Sequence, residues 1–484
     1  MNVLVKFAAP EFDQLVEHVL SRYPSREWAT FARFGWRETP ESLVLTLAQL
    51  EYPGTSELDD SVPNVAFQEP YSLRMALEAE KDPLAVGVIH SHPMDCAPAP
   101  SLMDDDMDNY FAEYFNGFAP GRPYISLIVT KLQDVLYVSG RVYWKGAWSS
   151  VTRVATSGTG ARLWTAASTS ARALTRRKRT ERLSAAFGEE AADLLRQSSV
   201  AIIGLGGTGS AAAEVLARAG VGELILIDPD SIEESNLERV HGSIPEDAAE
   251  GRPKVEVARR HIRSIDPTCC VSAIRGTVPQ KETVDALVRS DVVLCCTDSQ
   301  VSRLAISDIA VRYLVPAMDC GVALEGRDKR VTGEVIQFVR FLPKDPCALC
   351  RGMIIPSRIT QELMSEEEKR QRQDAARDAA VRGHADPATY WHDVPQLNTV
   401  GFLTTAAGAI AAGFAIGWVT GRFDPPFARI QLNLLAPLFE VADLDTEPLP
   451  DCACRRVRGF ADQALADAYV TAPAHWPPAA QLEY

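Results

Sequence analysis

Residues 199–210 read SVAIIGLGGTGS, and this stretch decides the fold. A strand-forming run enters a loop with glycines at Gly204, Gly206, Gly207 and Gly209, and SAAAEVLARAG (210–220) continues as a helix closed by Gly220. Glycines let a backbone approach a phosphate closely, and the amino end of the next helix supplies N–H donors and the positive end of its dipole. Asp228 ends the following strand, where an acid can bond ribose hydroxyls. Taken alone, these residues specify a dinucleotide or nucleotide site, and a nicotinamide cofactor would satisfy them too.

Outward from this loop the chain alternates. ELILID (223–228), CCVSAI (269–274) and DVVLCCT (291–297) read as strands with helical patterns between them. That alternation predicts an α/β fold, a Rossmann-like and mostly parallel sheet with helices on both faces. The loops add IDPDSIEESNLERV (227–240), GRPK (251–254) and CTDSQVSR (296–303), which carry Asp228, Asn236, Arg239, Lys254 and Asp298. Hydride transfer has no use for two cations near the phosphates. Splitting ATP does: Arg239 and Lys254 can neutralise charge on the triphosphate, and Asp298 can hold Mg²⁺.

These elements in this order, GLGGTGS, DPD, SNLERV, GRPK and CTDSQVSR, resemble the MoeB/ThiF/HesA family and the ubiquitin-activating enzymes from about residue 181 to 325, and less closely to 455. Val240 departs from the glutamine often found there. The resemblance implies an ATP-dependent adenylyltransferase that activates the C-terminal carboxylate of a small ubiquitin-like or sulfur-carrier protein and releases pyrophosphate. It also implies a homodimer, in which Arg182 of the lead segment ERLSAAFG (181–188) reaches the nucleotide of the facing subunit. Many relatives capture the acyl group on a cysteine before a long helix. Here no cysteine lies between Cys350 and Cys452, and the matching segment reads HDVPQLNTVGFLTTAAG (392–408). The reaction can stop at the adenylate, a partner can supply the thiol, or a hydroxyl such as Thr399 can accept the acyl group. Threonine is a weak nucleophile without an adjacent base, so Thr399 reads as a capping or packing residue.

Cys347 and Cys350 form C-x-x-C, and Cys452 and Cys454 form C-x-C. Two close pairs can close a tetrahedral Cys₄ site for structural Zn²⁺, as similar pairs do in the MoeB/ThiF relatives; a redox pair or disulfides are the alternative.

A second motif stands apart. GVIHSHPMDCAPAPSLMDD (87–105) places His90 and His92 on one side of an extended strand, with Asp104 in the next helix. Three ligands with an open fourth position are the form of a catalytic zinc site. HxHP followed by SxxD resembles the JAMM motif of JAB/MPN metalloproteases, which cleave after ubiquitin-like tails. By that resemblance Ser101 helps stabilise an oxyanion and Glu27, in YPSREWATF (23–31), is the general base. The gap between HP and SxxD is one residue longer than usual, which leaves Asp105 as an alternative ligand to Asp104. A JAB-like domain kept only for docking is the other reading.

The chain has 484 residues, a formal net charge of −15, 46% hydrophobic and 23% charged residues, the balance of a large globular protein. So acidic a surface argues against nucleic acid as a partner. No basic and apolar leader opens the sequence, which points to a cytoplasmic protein with reduced cysteines. Residues 397–421 carry no charge, but their Ala, Gly and Thr content fits a buried helix better than a membrane span. The expected organisation is a JAB-like α/β domain at 1–150, a Ser/Thr/Arg-rich linker at 151–180 ending in Arg176–Arg179, an adenylation domain with its zinc site at 181–460, and a tail at 461–484. The pairing of activating and tail-cleaving chemistries suggests a bacterial ubiquitin-like conjugation system, with phage defence as a setting and a conjugating-enzyme-like protein as a further partner. The rival readings are a sulfur-carrier adenylyltransferase for thiamin, molybdopterin or cysteine synthesis, and a non-catalytic modifier-binding scaffold.

Overall fold

The structure is a computed structural model. It describes the chain except residues 60–65, 94–97, 133–134, 159–161, 166–179, 328–329, 384–385, 392–398, 436–438, 441–446 and 483–484. Two nine-stranded sheets organise it.

The first sheet runs, edge to edge, Leu163–Thr165, Arg153–Ser157, Asn2–Ala8, Ser42–Glu51, Ala29–Glu38, Ala85–Ser91, Tyr124–Leu132, Val135–Trp144 and Ala147–Ser150. Alternation sets its faces: Val3, Val5 and Phe7 point into one core with Leu43, Leu45, Phe34 and helix residues Phe12 and Leu15. On the other face, Phe31, Val86 and Val88 pack against helices Glu69–Lys81 and Leu102–Phe118 through Tyr71, Met75, Phe111 and Phe115. The first half of the expected linker differs from its composition-based reading. Arg153–Ser157 pairs in parallel with Asn2–Ala8 and Leu163–Thr165 pairs with it in turn, so these residues extend the first sheet. Val154 has an apolar core to fill, which composition alone does not reveal. The basic run Arg176–Arg179 lies outside the described residues.

In the second sheet, five strands are parallel: Ala317–Arg327, Val292–Cys295, Ser199–Ile203, Glu223–Ile227 and Cys270–Arg275. Antiparallel strands Arg330–Phe341 and Arg429–Asn433 continue one edge. Ala480–Gln481 closes the other, so the expected tail contributes an edge strand. From Ser199–Ile203 the chain goes first to Glu223–Ile227 on one side and later to Val292–Cys295 on the other, and the carboxyl ends of such strands form the ligand crevice of open α/β sheets. The uncharged segment forms the helix Gly401–Thr420, long and apolar enough to cross a membrane, but here packed in the core. Leu403, Ala407, Ala411 and Ala415 meet Ala212, Leu216 and strand residues Ile202 and Leu294 in one core cluster. Its Ala and Gly content allows that close packing.

The two sheets meet away from the crevice. Leu4 and Val44 of the first join the core cluster formed by Leu287, Val288 and Val293 of the second. Gly35 N–H donates to Gly459 C=O, and Arg37 bonds Asp285 and Asp462. The second sheet's share of this contact lies at the amino ends of its parallel strands.

Candidate functional site

The glycine loop closes on itself. Gly204 adopts φ +82°, and a Cβ on Gly209 would stand 1.8 Å from Gly204 O. Both glycines are demanded by the protein's own backbone. Gly206 differs: a Cβ there would meet nothing within 4 Å, so the space above it is open. Helix Gly207–Ala219 begins at this point and offers its amino end to the crevice.

Asp228 is fixed by two backbone donors, Leu205 N–H at 2.6 Å and Asp230 N–H at 2.8 Å. Burial pushes its carboxyl pKa up, against the pull of Lys254. Lys254 Nζ lies 2.8 Å from Asp230 and 4.0 Å from Asp228. Burial opposes its charge, but Asp228 and Asp230 outweigh that and hold the ammonium's pKa above the ordinary lysine value. Asn236 is buried in a short 3₁₀ turn, and Arg239 Nη1 donates to Ser235 C=O at 2.8 Å. Val240 sits in a small apolar cluster with Ile232 and Val257, which explains a valine where relatives often carry glutamine.

Asp298 is exposed just beyond the strand Val292–Cys295, and among the described residues its carboxylate makes no hydrogen bond or ion pair. The turn that carries it is held from two sides. Glu362 accepts from Ser299 Oγ at 2.7 Å, Gln300 N–H at 2.8 Å and Val301 N–H at 2.9 Å. Arg303 reaches Asp319 at 3.0 Å. Glu238 accepts from Gly401 N–H at 2.7 Å and so tethers the Arg239 turn to the helix Gly401–Thr420. Sequence reading missed Glu362, Glu238 and Asp230. The first two act across 61 or more positions and leave no local signal; the third stood in the quoted DPD. Thr399 precedes the helix but does not cap it: the N-cap is Val400, and Glu238 supplies the acceptor. The rest of the segment from His392 to Asn398 lies outside the described residues. Arg182 is exposed on the helix Glu181–Phe187.

The four cysteines come together. Cys347 Sγ lies 3.7 Å from Cys350 and 3.6 Å from Cys452, and Cys350 lies 3.8 Å from Cys454. Zinc about 2.3 Å from each sulfur would put tetrahedral sulfurs about 3.8 Å apart. These separations fit a metal and exclude disulfides. Leu449 N–H donates to Cys350 Sγ at 3.3 Å, and the Tyr469 hydroxyl lies 3.2 Å from Cys452 and 3.5 Å from Cys347, in reach to donate to either sulfur. Cys454 and Tyr469, against the effect of burial, hold the Cys347 thiol pKa below the ordinary cysteine value.

In the first unit His90, His92 and Asp104 are all buried, with their ligand atoms within 4.8 Å of one another. Asp104 Oδ1 lies 3.0 Å from His90 Nε2, and Oδ2 lies 3.2 Å from His92 Nε2. His90 Nδ1 has no hydrogen-bond partner among the described residues. Burial would raise the Asp104 pKa, but His90 and His92 hold it well below the carboxylate range. Ionised, such a set is a cage of acceptors that a cation satisfies. Asp105 is taken by Arg141, which leaves Asp104 as the acid of the set. Ser101 caps the helix Leu102–Phe118, its hydroxyl accepting from Asp104 N–H at 3.3 Å. Ala29 pairs with His90 and Ser91 N–H donates to Trp28 C=O, so the same antiparallel register sets Glu27 opposite His92.

Residues 179–455 match the model of the ThiF family. Molybdopterin-synthase adenylyltransferase of Escherichia coli is 34% identical over 164 residues, 34% of this chain and 62% of that protein. The SAMP-activating enzyme E1 of Haloferax volcanii is 30% identical over 163 residues, 34% of this chain and 56% of that one. The chain thus spans less than two thirds of the length of these relatives. Among solved structures, Escherichia coli MccB with ATP aligns at a TM-score of 0.42 and 20% identity, covering 57% of this chain and 74% of that one.

Proposed function

Since the chain belongs to the ThiF family, we propose that its second unit uses ATP to adenylate the C-terminal carboxylate of a ubiquitin-like protein. The observation that carries this reading is Lys254 held between Asp228 and Asp230 beside the open face of the glycine loop. Without nucleotide the ammonium is neutralised by carboxylates. With it, Asp228 bonds ribose hydroxyls, Gly206 admits the phosphates, and Lys254 and Arg239 turn to the negative charge. Asp298 would hold Mg²⁺, which supplies further neutralisation of the triphosphate. A carboxylate oxygen of the carrier attacks the α-phosphorus, the bond to the bridging oxygen breaks, and pyrophosphate leaves with that electron pair. Arg182 serves the nucleotide of a facing subunit in a homodimer.

The proposal extends to the first unit as a zinc hydrolase of the JAB/JAMM kind. His90, His92 and Asp104 would hold Zn²⁺, which would supply an acidified water; Glu27 would serve as the general base and Ser101 would steady the oxyanion. One chain then activates a tail and cleaves after it, as a bacterial ubiquitin-like conjugation system with a conjugating-enzyme-like partner requires.

ATP–pyrophosphate exchange with candidate β-grasp proteins tests the activating reading. Carrier-dependent exchange that disappears in Asp298→Ala supports it; ATP binding without exchange for any carrier leaves a modifier-binding scaffold instead. A sulfur-carrier role is the second reading, supported by the absence of cysteine between Cys350 and Cys452. A thiocarboxylate product would establish that role, and a thioester on a partner protein would establish conjugation.

A further inference from the structure

Between the two sheets, at the amino ends of parallel strands from both, lies a cleft of about 340 Å³. Asn2, Ser42 and Thr152 line it from the first unit, and Ser199, Glu223 and Arg289 from the second. Arg153 reaches across to Asp291, and Arg289 Nη1 lies 2.9 Å from Glu223. Ser199 Oγ and Arg153 Nε are buried without a hydrogen-bond partner among the described residues, and Ser199 is only 3% exposed. An adjoining cavity of about 30 Å³ is lined by Lys6, Arg162, Asp291 and Trp418. Among the described residues its Arg162 Nε and Trp418 Nε1 also lack partners, and Lys6 Nζ donates to Ser290 C=O at 2.7 Å. Burial pushes Lys6 down to about 7, with Asp291 pulling it back.

Buried donors without acceptors are costly, and Ser199 Oγ and Arg153 Nε, which line the same cleft, share a single remedy. Of the charged residues lining the larger cleft, two are cations, Arg153 and Arg289, and one is a carboxylate, Glu223, with Asp291 paired behind Arg153. We infer that this interdomain cleft is a second ligand site, built for a phosphate-class oxyanion that bridges Arg153 and the Ser199 hydroxyl. It lies at the opposite ends of the strands from the nucleotide loop and rests on neither the ATP nor the zinc reading. The cleft is roomier than one phosphate needs, so the oxyanion can arrive free or carried on a small molecule.

Calorimetric titration of the full chain with inorganic phosphate, pyrophosphate and AMP, with a non-hydrolysable ATP analogue saturating, tests this. One equivalent of at least one probe is expected to bind. Ser199→Ala removes a hydroxyl with no protein partner, so the fold is unchanged while affinity falls about tenfold, the loss of one hydrogen bond to a charged group. Arg153→Met paired with Asp291→Asn, which removes both partners of the ion pair together, is expected to abolish binding. Binding of phosphate alone identifies a free oxyanion; binding of AMP without phosphate identifies a carried one. The inference is overturned by no heat with any probe, or by binding that both variants leave unchanged.

Discussion

A Cβ on Gly207 would stand 2.2 Å from the Thr404 hydroxyl oxygen and 2.7 Å from Thr404 Cβ. The glycine loop and the helix Gly401–Thr420 are therefore in direct contact, and the loop's shape depends on a helix nearly two hundred positions later. Gly207→Ala is expected to lower the melting temperature, since overpacking of this kind costs about 1–3 kcal/mol. Gly206→Ala makes the contrast, because its Cβ meets nothing within 4 Å and its φ is −68°. That variant should melt like the wild type yet lose at least about tenfold in ATP affinity, as its methyl enters the phosphate space. Undiminished ATP binding by Gly206→Ala would refute the placement of the phosphates.

Lys254→Met should cut ATP–pyrophosphate exchange by about 10²–10³-fold, the usual effect of deleting a charge that stabilises the transition state. Asp230→Asn works the other way. Its exposed carboxylate competes with the nucleotide for the same ammonium, so ATP should bind up to about fivefold tighter, in line with the worth of an exposed ion pair. Equal ATP affinity in Lys254→Met and wild type would remove this lysine from the site.

Metal analysis of the purified chain should find about two zinc ions, one per cluster. Cys452→Ser should lose one and destabilise the fold, since a structural site contributes folding energy. Asp104→Asn should lose the other, while Asp105→Asn, whose carboxylate faces Arg141, should keep both. Retention of both ions by Asp104→Asn would exclude the first cluster as a zinc site.

Glu214 accepts from His241 and His261, each at 3.0 Å, and from Arg218. Burial would raise its pKa, but His261, His241 and Arg218 bring it down to about 2 from 4.5. A depressed carboxylate stabilises the fold above its unfolded pKa, and that contribution is lost as pH falls toward the folded value. Urea unfolding should therefore show Glu214→Gln less stable than wild type near pH 6, with the gap closing between about pH 4.5 and 2. A gap that persists at pH 2 would assign the effect to packing instead.

The residues written close together along the chain were the legible ones. The glycine loop, the DPD turn, both cysteine pairs and the H-x-H strand are each short, contiguous patterns in the chain, and the sulfurs of Cys347 and Cys452 lie 3.6 Å apart. The uncharged run after Thr399 was read as a buried helix and is packed in the core. What escaped were relationships fixed only by tertiary packing. Arg153–Ser157 looks like linker until Asn2–Ala8 is seen beside it. Glu362 caps a helix 61 positions earlier, and Glu238 caps one 163 positions later, with no periodicity to announce either.

The contact between the two units uses the amino ends of the second sheet's parallel strands, while the glycine loop and Asp298 occupy their carboxyl ends. In the first unit, His90 pairs with Ala29 whereas the contact forms at Gly35–Arg37, eight residues or about 25 Å along the same strand. Neither the His90–His92–Asp104 cluster nor the glycine loop therefore lies at the contact between the two units. On the proposed function, a tail activated at the glycine loop would have to leave that site before the His90–His92–Asp104 cluster of the same chain could act on it. Carrying both units on one chain would then fix their ratio at one to one without giving either a privileged claim on the other's product.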